Sequence, residues 1–458
     1  MADSNTTANT NSQTKTEDVR LRGEMLSFSK EPSNSPESSN NSTPDAALVH
    51  DRDAVIRLSK GKIVSIDSAA TRLKAGDKLK DCVDLRDALI LPGFIDTHIH
   101  YPQMDIIGGY GAHLLEWLER YAFPAEIAYA DKPFAAVQAE QFMRRLFQHG
   151  TTTALTFTTV HSHTTDALFT AAERHNARII AGKVLMDRNA PAELTDQTDG
   201  IKESDELINR WHGRDRLAYA VTPRFAITCT DAQLGGAAEL LAQHTGVYLH
   251  THLAEDPGEI KETMKLFPQA KDYVDVYDRF NLLGERSVFA HGIHLAENEL
   301  DRLAETNSGI AFCPTSNLFL GSGLLKRKRL RAHNVRMSVA TDVGGCTSFS
   351  MLRTLGDGYK VGQLNHEPWH PYNALHAITR GNAMALGLGD KIGQIKSGFE
   401  ADLTVIKPPR ESMLGDRLKS VDDPAERLFA AYFLAGDDAI AQTYVNGKLA
   451  YQRAGETD

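Results

Sequence analysis

The stretch FIDTHIH, residues 94–100, ends in two histidines spaced two apart, His98 and His100. Its apolar and β-branched start, after the run ILPG, is typical of a buried strand. Because alternate residues of an extended strand project from the same face, both imidazoles lie on one side at the strand's end. Two imidazoles placed in this way can bind one metal ion together. The stretch therefore predicts a strand whose carboxyl end carries a metal-binding group.

Similar apolar runs recur along the centre of the chain and alternate with amphipathic, helix-like stretches that often end in glycine. Eight strands alternating with helices predict an α/β fold of the (β/α)8 TIM-barrel class. In this fold the active site lies at the carboxyl ends of the strands. The eight runs cover residues 90–98, 152–157, 178–185, 217–224, 247–252, 287–291, 309–313 and 335–342.

Short strand-like segments separated by glycine turns occur at both ends of the chain. They cover residues 19–28, 54–60 and 62–67 near the start, and parts of 393–406 and 441–451 near the end. We therefore expect a small β-sandwich domain built from residues 18–89 and 389–458, with the metal-dependent hydrolase barrel spanning 90–388. The Asn/Thr/Ser-rich residues 1–17 predict a disordered tail, and the low-complexity residues 31–46 predict a flexible loop.

Composition and charge exclude several function classes. The chain has 458 residues and a net charge of −10, from 50 basic and 60 acidic side chains. This balance disfavours a general nucleic-acid or anionic-membrane binder, and no apolar run approaches the roughly 18 residues of a membrane span. The four cysteines have no C-x-x-C spacing, which argues against a disulfide scaffold or zinc finger. Without a recognisable signal peptide, we expect a cytoplasmic protein.

Three further predicted strands end in potential metal ligands: the fifth at His252, the sixth at His291 and the eighth at Asp342. A single buried histidine is more often an ordinary packed residue than a ligand. The combination of H-x-H on the first strand with these three positions, in this order, is far more specific. Other histidines keep the ordinary structural interpretation, namely His163, His250, His294 and His376.

The order HxH, HxxE, H and D resembles the amidohydrolase superfamily of metal-dependent hydrolases, and the resemblance covers most of the chain. Within the superfamily, the sequence is most similar to the members that deaminate guanine. Long stretches carry this similarity: PGFIDTHIHYPQ (92–103), LLEWLERYAFPAE (114–126), GTTTAL (150–155), VTPRF (221–225), HTHLAE (250–255), FAHG (289–292), AFCPTSNLFLGSG (311–323) and ATDVGG (340–345).

The resemblance implies a zinc-dependent conversion of guanine and water to xanthine and ammonia, by a homodimer. It implies one ion per chain, although three histidines and an aspartate also suit iron. It further implies that Glu255 shuttles protons, with His291 and Asp342 as further catalytic groups. The implied metal ligands are His98, His100, His252 and Asp342; the implied purine-binding residues are Gln103, Arg224 and Phe225, together with His252, Glu255 and Asp342.

The side-chain chemistry fits these implied roles. A bound divalent metal can lower the pKa of water from about 15.7 to near 7, and a carboxyl such as Glu255 can carry a proton to the leaving amine. Arg224 can donate to a carbonyl, and Gln103 offers both a donor and an acceptor. From the residues alone, a surface ion pair for Arg224 and core packing for Phe225 are favoured over substrate binding. The loop SNLFLGSG (316–323) is interpreted as a turn or lid over the substrate.

Several alternatives stay open at this stage. A related mononuclear enzyme acting on another aminopurine, a pterin or a triazine would share the metal ligands. A binuclear site with a bridging carboxylated lysine is disfavoured, because the fourth predicted strand ends in VTPRF without lysine. The cytidine-type deaminase fold needs P-C-x-x-C, which is absent. A non-catalytic scaffold is disfavoured because every ligand position is filled.

Overall fold

The computed structural model describes residues 18–33, 47–111, 113–196 and 199–455. The predicted tail at 1–17 and most of the predicted loop at 31–46 lie outside these residues. Among the helices that are described, none combines the length and the apolar character needed to cross a bilayer.

The described residues form two separate β-sheets. Sixteen strands build them, and in chain order they are β1 (Val19–Phe28), β2 (Leu48–Ser59), β3 (Lys62–Ser68), β4 (Cys82–Pro92), β5 (Phe94–His100), β6 (Thr151–Phe157), β7 (Arg178–Gly182), β8 (Val184–Leu185), β9 (Ala218–Pro223), β10 (Tyr248–Leu253), β11 (Ser287–His291), β12 (Gly309–Phe312), β13 (Arg336–Val339), β14 (Leu403–Ile406), β15 (Ile440–Val445) and β16 (Lys448–Gln452).

The central sheet is a parallel barrel, which confirms the predicted (β/α)8 class. Its neighbours run β5-β6-β7-β9-β10-β11-β12-β13, and the short β8 pairs with β9. Backbone bonds beyond the end of β13 close the circle: Asp342 N donates to His98 O at 3.0 Å, and His100 N donates to Val343 O at 2.6 Å. Every residue of β5 is buried, as expected for a strand covered by helices outside and by side chains inside. Closure therefore brings the ends of the first and last strands together.

The other sheet combines both ends of the chain, as the terminal segments predict. Its seven strands have the order β16-β15-β14-β4-β1-β2-β3, so β4 and β14 join the segments that precede and follow the barrel. Strand β4 continues to Pro92, past the predicted boundary at 89/90, and leads into β5 after Gly93. The exact division into domains stays a prediction.

Helices follow most barrel strands and cover the outside of the barrel. Several begin at an Asp, Ser or Thr whose side chain accepts a backbone N–H, such as Asp131, Asp199 and Thr230. The α-helices are α1 (Ala69–Lys74), α2 (Leu114–Trp117), α3 (Phe123–Ile127), α4 (Lys132–Gln148), α5 (Ser162–His175), α6 (Gly200–Trp211), α7 (Asp231–Gln243), α8 (Pro257–Leu266), α9 (Tyr273–Asp278), α10 (Glu297–Glu305), α11 (Pro314–Phe319), α12 (Arg327–Ala332), α13 (Met351–Leu364), α14 (Pro371–His376), α15 (Asn382–Ala385), α16 (Met413–Leu418) and α17 (Pro424–Leu434).

A buried ion cluster ties the two sheets together at the amino ends of the barrel strands. Arg216 donates through Nε to Glu400 Oε2 at 2.9 Å and also pairs with Asp402. Arg178, the first residue of β7, donates through Nη2 to Glu400 Oε1 at 2.6 Å. Two guanidinium groups thus neutralise two carboxylates in a region that excludes water, which holds the segment before β14 against the barrel.

Arg216→Met should destabilise the protein by about 3–5 kcal/mol, because it leaves buried carboxylates without one of their two cations. Chemical denaturation followed by circular dichroism measures the effect. The control is Arg174→Met, whose pair with Glu140 at 2.5 Å is formed by an arginine side chain that is 65% exposed; it should cost less than about 1 kcal/mol. Equal effects of the two substitutions would contradict a tying role for the cluster.

Candidate metal centre and substrate cavity

The predicted ligands converge at the carboxyl end of the barrel. His98 and His100 belong to β5, and His252 belongs to β10. Asp342 differs slightly from the prediction: β13 ends at Val339, so the aspartate lies three residues further on, in the loop that closes the barrel. Its backbone has a positive φ of 55°, a conformation that costs energy for a non-glycine residue and that clusters at functional sites.

Four potential ligand atoms from these side chains lie within 4.8 Å of one another. His100 Nε2 is 3.2 Å from His98 Nε2 and 3.3 Å from His252 Nε2. Asp342 Oδ1 is 3.1 Å from His98 Nε2 and 3.2 Å from His100 Nε2. Ligands bonded at about 2.0–2.2 Å to one tetrahedral ion stand about 3.3–3.5 Å apart. The four atoms therefore have the spacing of a mononuclear metal centre.

Hydrogen bonding supports the same conclusion, because it turns the imidazole lone pairs inward. His252 Nδ1 is 2.7 Å from the carbonyl of Arg224; since a carbonyl only accepts, Nδ1 carries the proton and Nε2 presents a lone pair. Burial lowers the pKa of His252 well below its usual value and that of His100 to about 4. Neutral imidazoles are the form that binds a metal, so this donor set fits a divalent cation.

Two residues without a predicted role hold the ligands in place. His250 Nε2 lies 2.7 Å from His98 Nδ1 and fixes the orientation of that ring. The buried carboxylate of Asp96 accepts from Thr341 N at 3.2 Å and from Thr341 Oγ1 at 2.5 Å, next to Asp342. Outer contacts of this kind set ligand geometry in metal sites. The alternation of β5 could have indicated Asp96, which lies two residues before His98.

Glu255 and His291 face each other beside the ligand cluster. His291 Nε2 is 3.3 Å from Glu255 Oε2 and 3.8 Å from Asp342 Oδ2. The Asn317 amide nitrogen lies 3.0 Å from His291 Nδ1; because an amide nitrogen only donates, His291 keeps its proton on Nε2. Burial lowers the pKa of His291 to about 3, so the ring is a neutral donor that points toward the two carboxylates.

The loop after β10 places Glu255 through contacts that the sequence does not reveal. Ser322 donates through Oγ to Glu255 Oε1 at 3.2 Å, so the predicted lid segment contributes directly to the site. Glu259 accepts from the backbone N–H of Glu255 at 2.8 Å and from the Tyr273 hydroxyl at 2.6 Å. Burial, followed by the charge of Asp342, raises the pKa of Glu255 well above its usual value.

A cavity with about 420 Å³ of empty space, part of it open to solvent, lies directly over these groups. It brings together eight of the nine predicted site residues; the ninth, His98, lies beneath them in the ligand cluster. One wall is apolar, as expected for a pocket that binds a flat heterocycle. The lining residues are His100, Gln103, Leu114, Trp117, Leu118, Arg224, Phe225, His252, Glu255, Glu259, His291, Leu320, Asp342 and Gly345.

Two of the predicted substrate-binding residues share one buried partner. Arg224 donates through Nη1 to Glu126 at 2.8 and 2.7 Å, and Gln103 donates through Nε2 to Glu126 Oε1 at 2.8 Å. Arg224 is therefore neither exposed nor part of a surface ion pair. Phe225 is buried, and its ring centroid lies 6.4 Å from that of His252.

The other histidines that were given ordinary roles are held by polar or packing contacts away from the cluster. His163 Nε2 is 2.9 Å from the carbonyl of Tyr129, and His294 Nε2 is 2.8 Å from the carbonyl of Ser322. His376 packs edge-on against Phe28. Only His250, of this group, touches a predicted ligand.

We expect one equivalent of divalent metal per chain in protein purified without chelator. His252→Ala should lower the metal content at least several-fold, because it removes one of four ligands. His163→Ala is the matched control and should keep wild-type metal content. Elemental analysis by mass spectrometry measures both; two ions per chain, or retained metal in His252→Ala, would contradict the four-ligand mononuclear centre.

Comparison with known proteins agrees with this geometry. Residues 89–450 match the amidohydrolase family. The chain is 46% identical to guanine deaminase of Escherichia coli K12 over 371 residues, which cover 81% of this chain and 84% of that protein.

Two solved structures share the whole fold. The E. coli guanine deaminase structure superposes with a TM-score of 0.90 at 41% identity, covering 95% of this chain and 100% of that one. A guanine deaminase structure from Bradyrhizobium japonicum gives a TM-score of 0.90 at 33% identity, with the same coverage. The chain therefore belongs to the amidohydrolase family, in the branch formed by the guanine deaminases.

Proposed function

We propose that this chain is a hydrolase that converts guanine and water to xanthine and ammonia, with one zinc ion held by His98, His100, His252 and Asp342. The observation that carries the proposal is the 46% identity to a guanine deaminase over most of both chains. The cavity supports it, since ligand cluster, proton-carrying groups and hydrogen-bonding groups for a heterocycle line a single space. Zinc bound in this centre would make a water molecule acidic enough to react near neutral pH.

Glu255 moves the proton that the reaction requires. The C2–N bond of guanine breaks and a C2–O bond forms, so one of the two water protons must reach the leaving nitrogen and the other must end on a ring nitrogen of xanthine. Burial raises the pKa of the Glu255 carboxyl, which favours the protonated form that delivers the proton to the leaving nitrogen. Its contacts with Ser322 and with Glu259 keep it directed at the cavity. Ammonia then leaves as a neutral molecule.

His291 assists as a neutral hydrogen-bond donor. With Asn317 at Nδ1, its Nε2–H points toward Glu255 and Asp342. A donor in this position stabilises negative charge that develops on the attacking oxygen. Because burial lowers the pKa of His291 to about 3, the ring does not compete for the proton that Glu255 carries. Asp342 can accept a proton from the reacting water as well as bind metal.

Gln103, Arg224 and Phe225 hold the purine. Arg224 is nearly fully buried and donates to the ring-edge carbonyl, while Gln103 pairs with a ring nitrogen. Phe225 and the apolar wall formed by Leu114, Trp117 and Leu118 cover the faces of the ring. These groups orient the exocyclic amine toward Glu255.

Wild-type protein with bound metal should deaminate guanine, which is followed as loss of its ultraviolet absorbance with release of ammonia. A panel of aminopurines, pterins and triazines tests the substrate at the same time. The highest kcat/KM is expected for guanine. Turnover of another member of the panel without turnover of guanine would contradict the proposed substrate while leaving the fold and metal centre intact.

Glu255→Gln should lower kcat by about 10²–10⁴-fold, because it removes the group that transfers the proton. Metal content should stay at the wild-type value, since Glu255 is not among the four ligands. Glu299→Gln is the control: it changes a buried carboxylate of α10 that bonds backbone N–H groups of Ala296 and Val274, outside the cavity. Near wild-type activity of Glu255→Gln would show that another group carries the proton.

Three finer points belong to the same proposal. Zinc rather than iron is supported by the family resemblance alone, since the donor set of three histidines and one aspartate suits either ion. A cytoplasmic location is supported by four free thiols, Cys82, Cys229, Cys313 and Cys346, which suit a reducing compartment. A homodimer is supported by the family resemblance, and light scattering after gel filtration tests it.

A further inference from the structure

Glu126 is a buried carboxylate beside the cavity that the proposed reaction does not use. It lies in α3 and is 0% exposed. The segment that precedes it supplies the apolar wall through Leu114, Trp117 and Leu118. Glu126 therefore lies in the same helical segment as the apolar wall of the cavity. It lies behind Arg224 and Gln103, the polar groups that it contacts.

The contact with Arg224 balances a charge that would otherwise be costly. Both carboxylate oxygens of Glu126 lie within 2.8 Å of Arg224 Nη1, and the guanidinium also stacks over the Phe123 ring at 5.3 Å. A buried arginine without a counter-charge strongly destabilises the folded protein. Because Glu126 engages only Nη1, it holds the guanidinium in place while leaving the donors on Nη2 and Nε for the cavity.

The contact with Gln103 fixes the direction of an amide. A carboxylate only accepts hydrogen bonds, so the Gln103 nitrogen must face Glu126, as it does at 2.8 Å. On the other side, the backbone N–H of Gly344 donates to Gln103 Oε1 at 3.2 Å. If the Gln103 amide were flipped, its oxygen would face the Glu126 carboxylate and its nitrogen would face the Gly344 N–H, so both hydrogen bonds would be lost. Gln103 consequently presents one defined pattern of donor and acceptor to the cavity.

We infer that Glu126 is a specificity-determining positioning residue, which sets Arg224 and Gln103 as a fixed pattern that selects a purine with a carbonyl on its six-membered ring. This inference rests on the proposed function. The guanidinium donors match a carbonyl oxygen, whereas an amino group at the same place would put donor against donor. A site built to bond one group rejects an analogue that leaves its buried polar groups unpaired.

The experiment compares guanine with 2,6-diaminopurine, in which an amino group replaces the carbonyl. In Glu126→Gln, the KM for guanine should rise about tenfold or more, and the ratio of kcat/KM for guanine to that for 2,6-diaminopurine should fall about 10–100-fold. Metal content should not change. The control Glu299→Gln removes another buried carboxylate and should keep the wild-type ratio.

Glu126→Asp keeps the negative charge and therefore protects folding if the glutamine variant is insoluble. Its shorter side chain cannot reach Arg224 and Gln103 equally, so the ratio should fall, though less than in Glu126→Gln. An unchanged ratio in either folded variant, or an equal loss of kcat on both substrates, would overturn this role. Wild-type protein that fails to deaminate guanine would instead contradict the proposed function, so the two failures are distinguishable.

Discussion

The close approach of three imidazole nitrogens and one carboxylate oxygen is the constraint on which the rest of the site depends. Four of the pairwise distances between these three buried nitrogen lone pairs and the carboxylate oxygen are 3.1–3.3 Å. Such a group is not stable without a cation. The barrel brings them together because its first and last strands meet. The bonds from Asp342 N to His98 O and from His100 N to Val343 O thus close the barrel and assemble the centre in one step.

The three histidine ligands belong to strands, whereas the ligand Asp342 and the proton-carrying Glu255 belong to loops. His98, His100 and His252 lie on strands, where packing on both faces leaves little freedom. Glu255, Ser322 and Asp342 lie beyond strand ends. Positive φ angles at Ala254, His291 and Asp342 mark the points where the chain leaves the regular barrel geometry. The surrounding hydrogen bonds offset the cost of these conformations.

Sequence periodicity predicted eight barrel strands, because these strands are mostly buried and rich in β-branched residues, and four of the runs end at a His or Asp suited to a metal. The end of the last strand was less predictable: the run at 335–342 reads as continuous, but the barrel needs Asp342 to turn inward after Val339. The family resemblance, rather than sequence spacing, supplied Gln103, Arg224 and Phe225, which line the cavity. Neither route could identify Glu126, Asn317 or Ser322, since their contacts with Arg224, His291 and Glu255 join residues 26 to 98 positions apart and depend on the folded chain.

Three buried carboxylates share one arrangement, and together they explain why the cavity keeps its shape. Asp96 accepts from Thr341 beside Asp342, Glu259 accepts from the backbone of Glu255, and Glu126 accepts from Arg224 and Gln103. Each is one contact removed from the reacting centre. A buried carboxylate is costly unless its oxygens are well bonded, and these are bonded to the segments that carry the functional groups. Displacement of a functional group would therefore leave a buried carboxylate without its hydrogen bonds. The arrangement in the structure is consequently the one of lowest free energy.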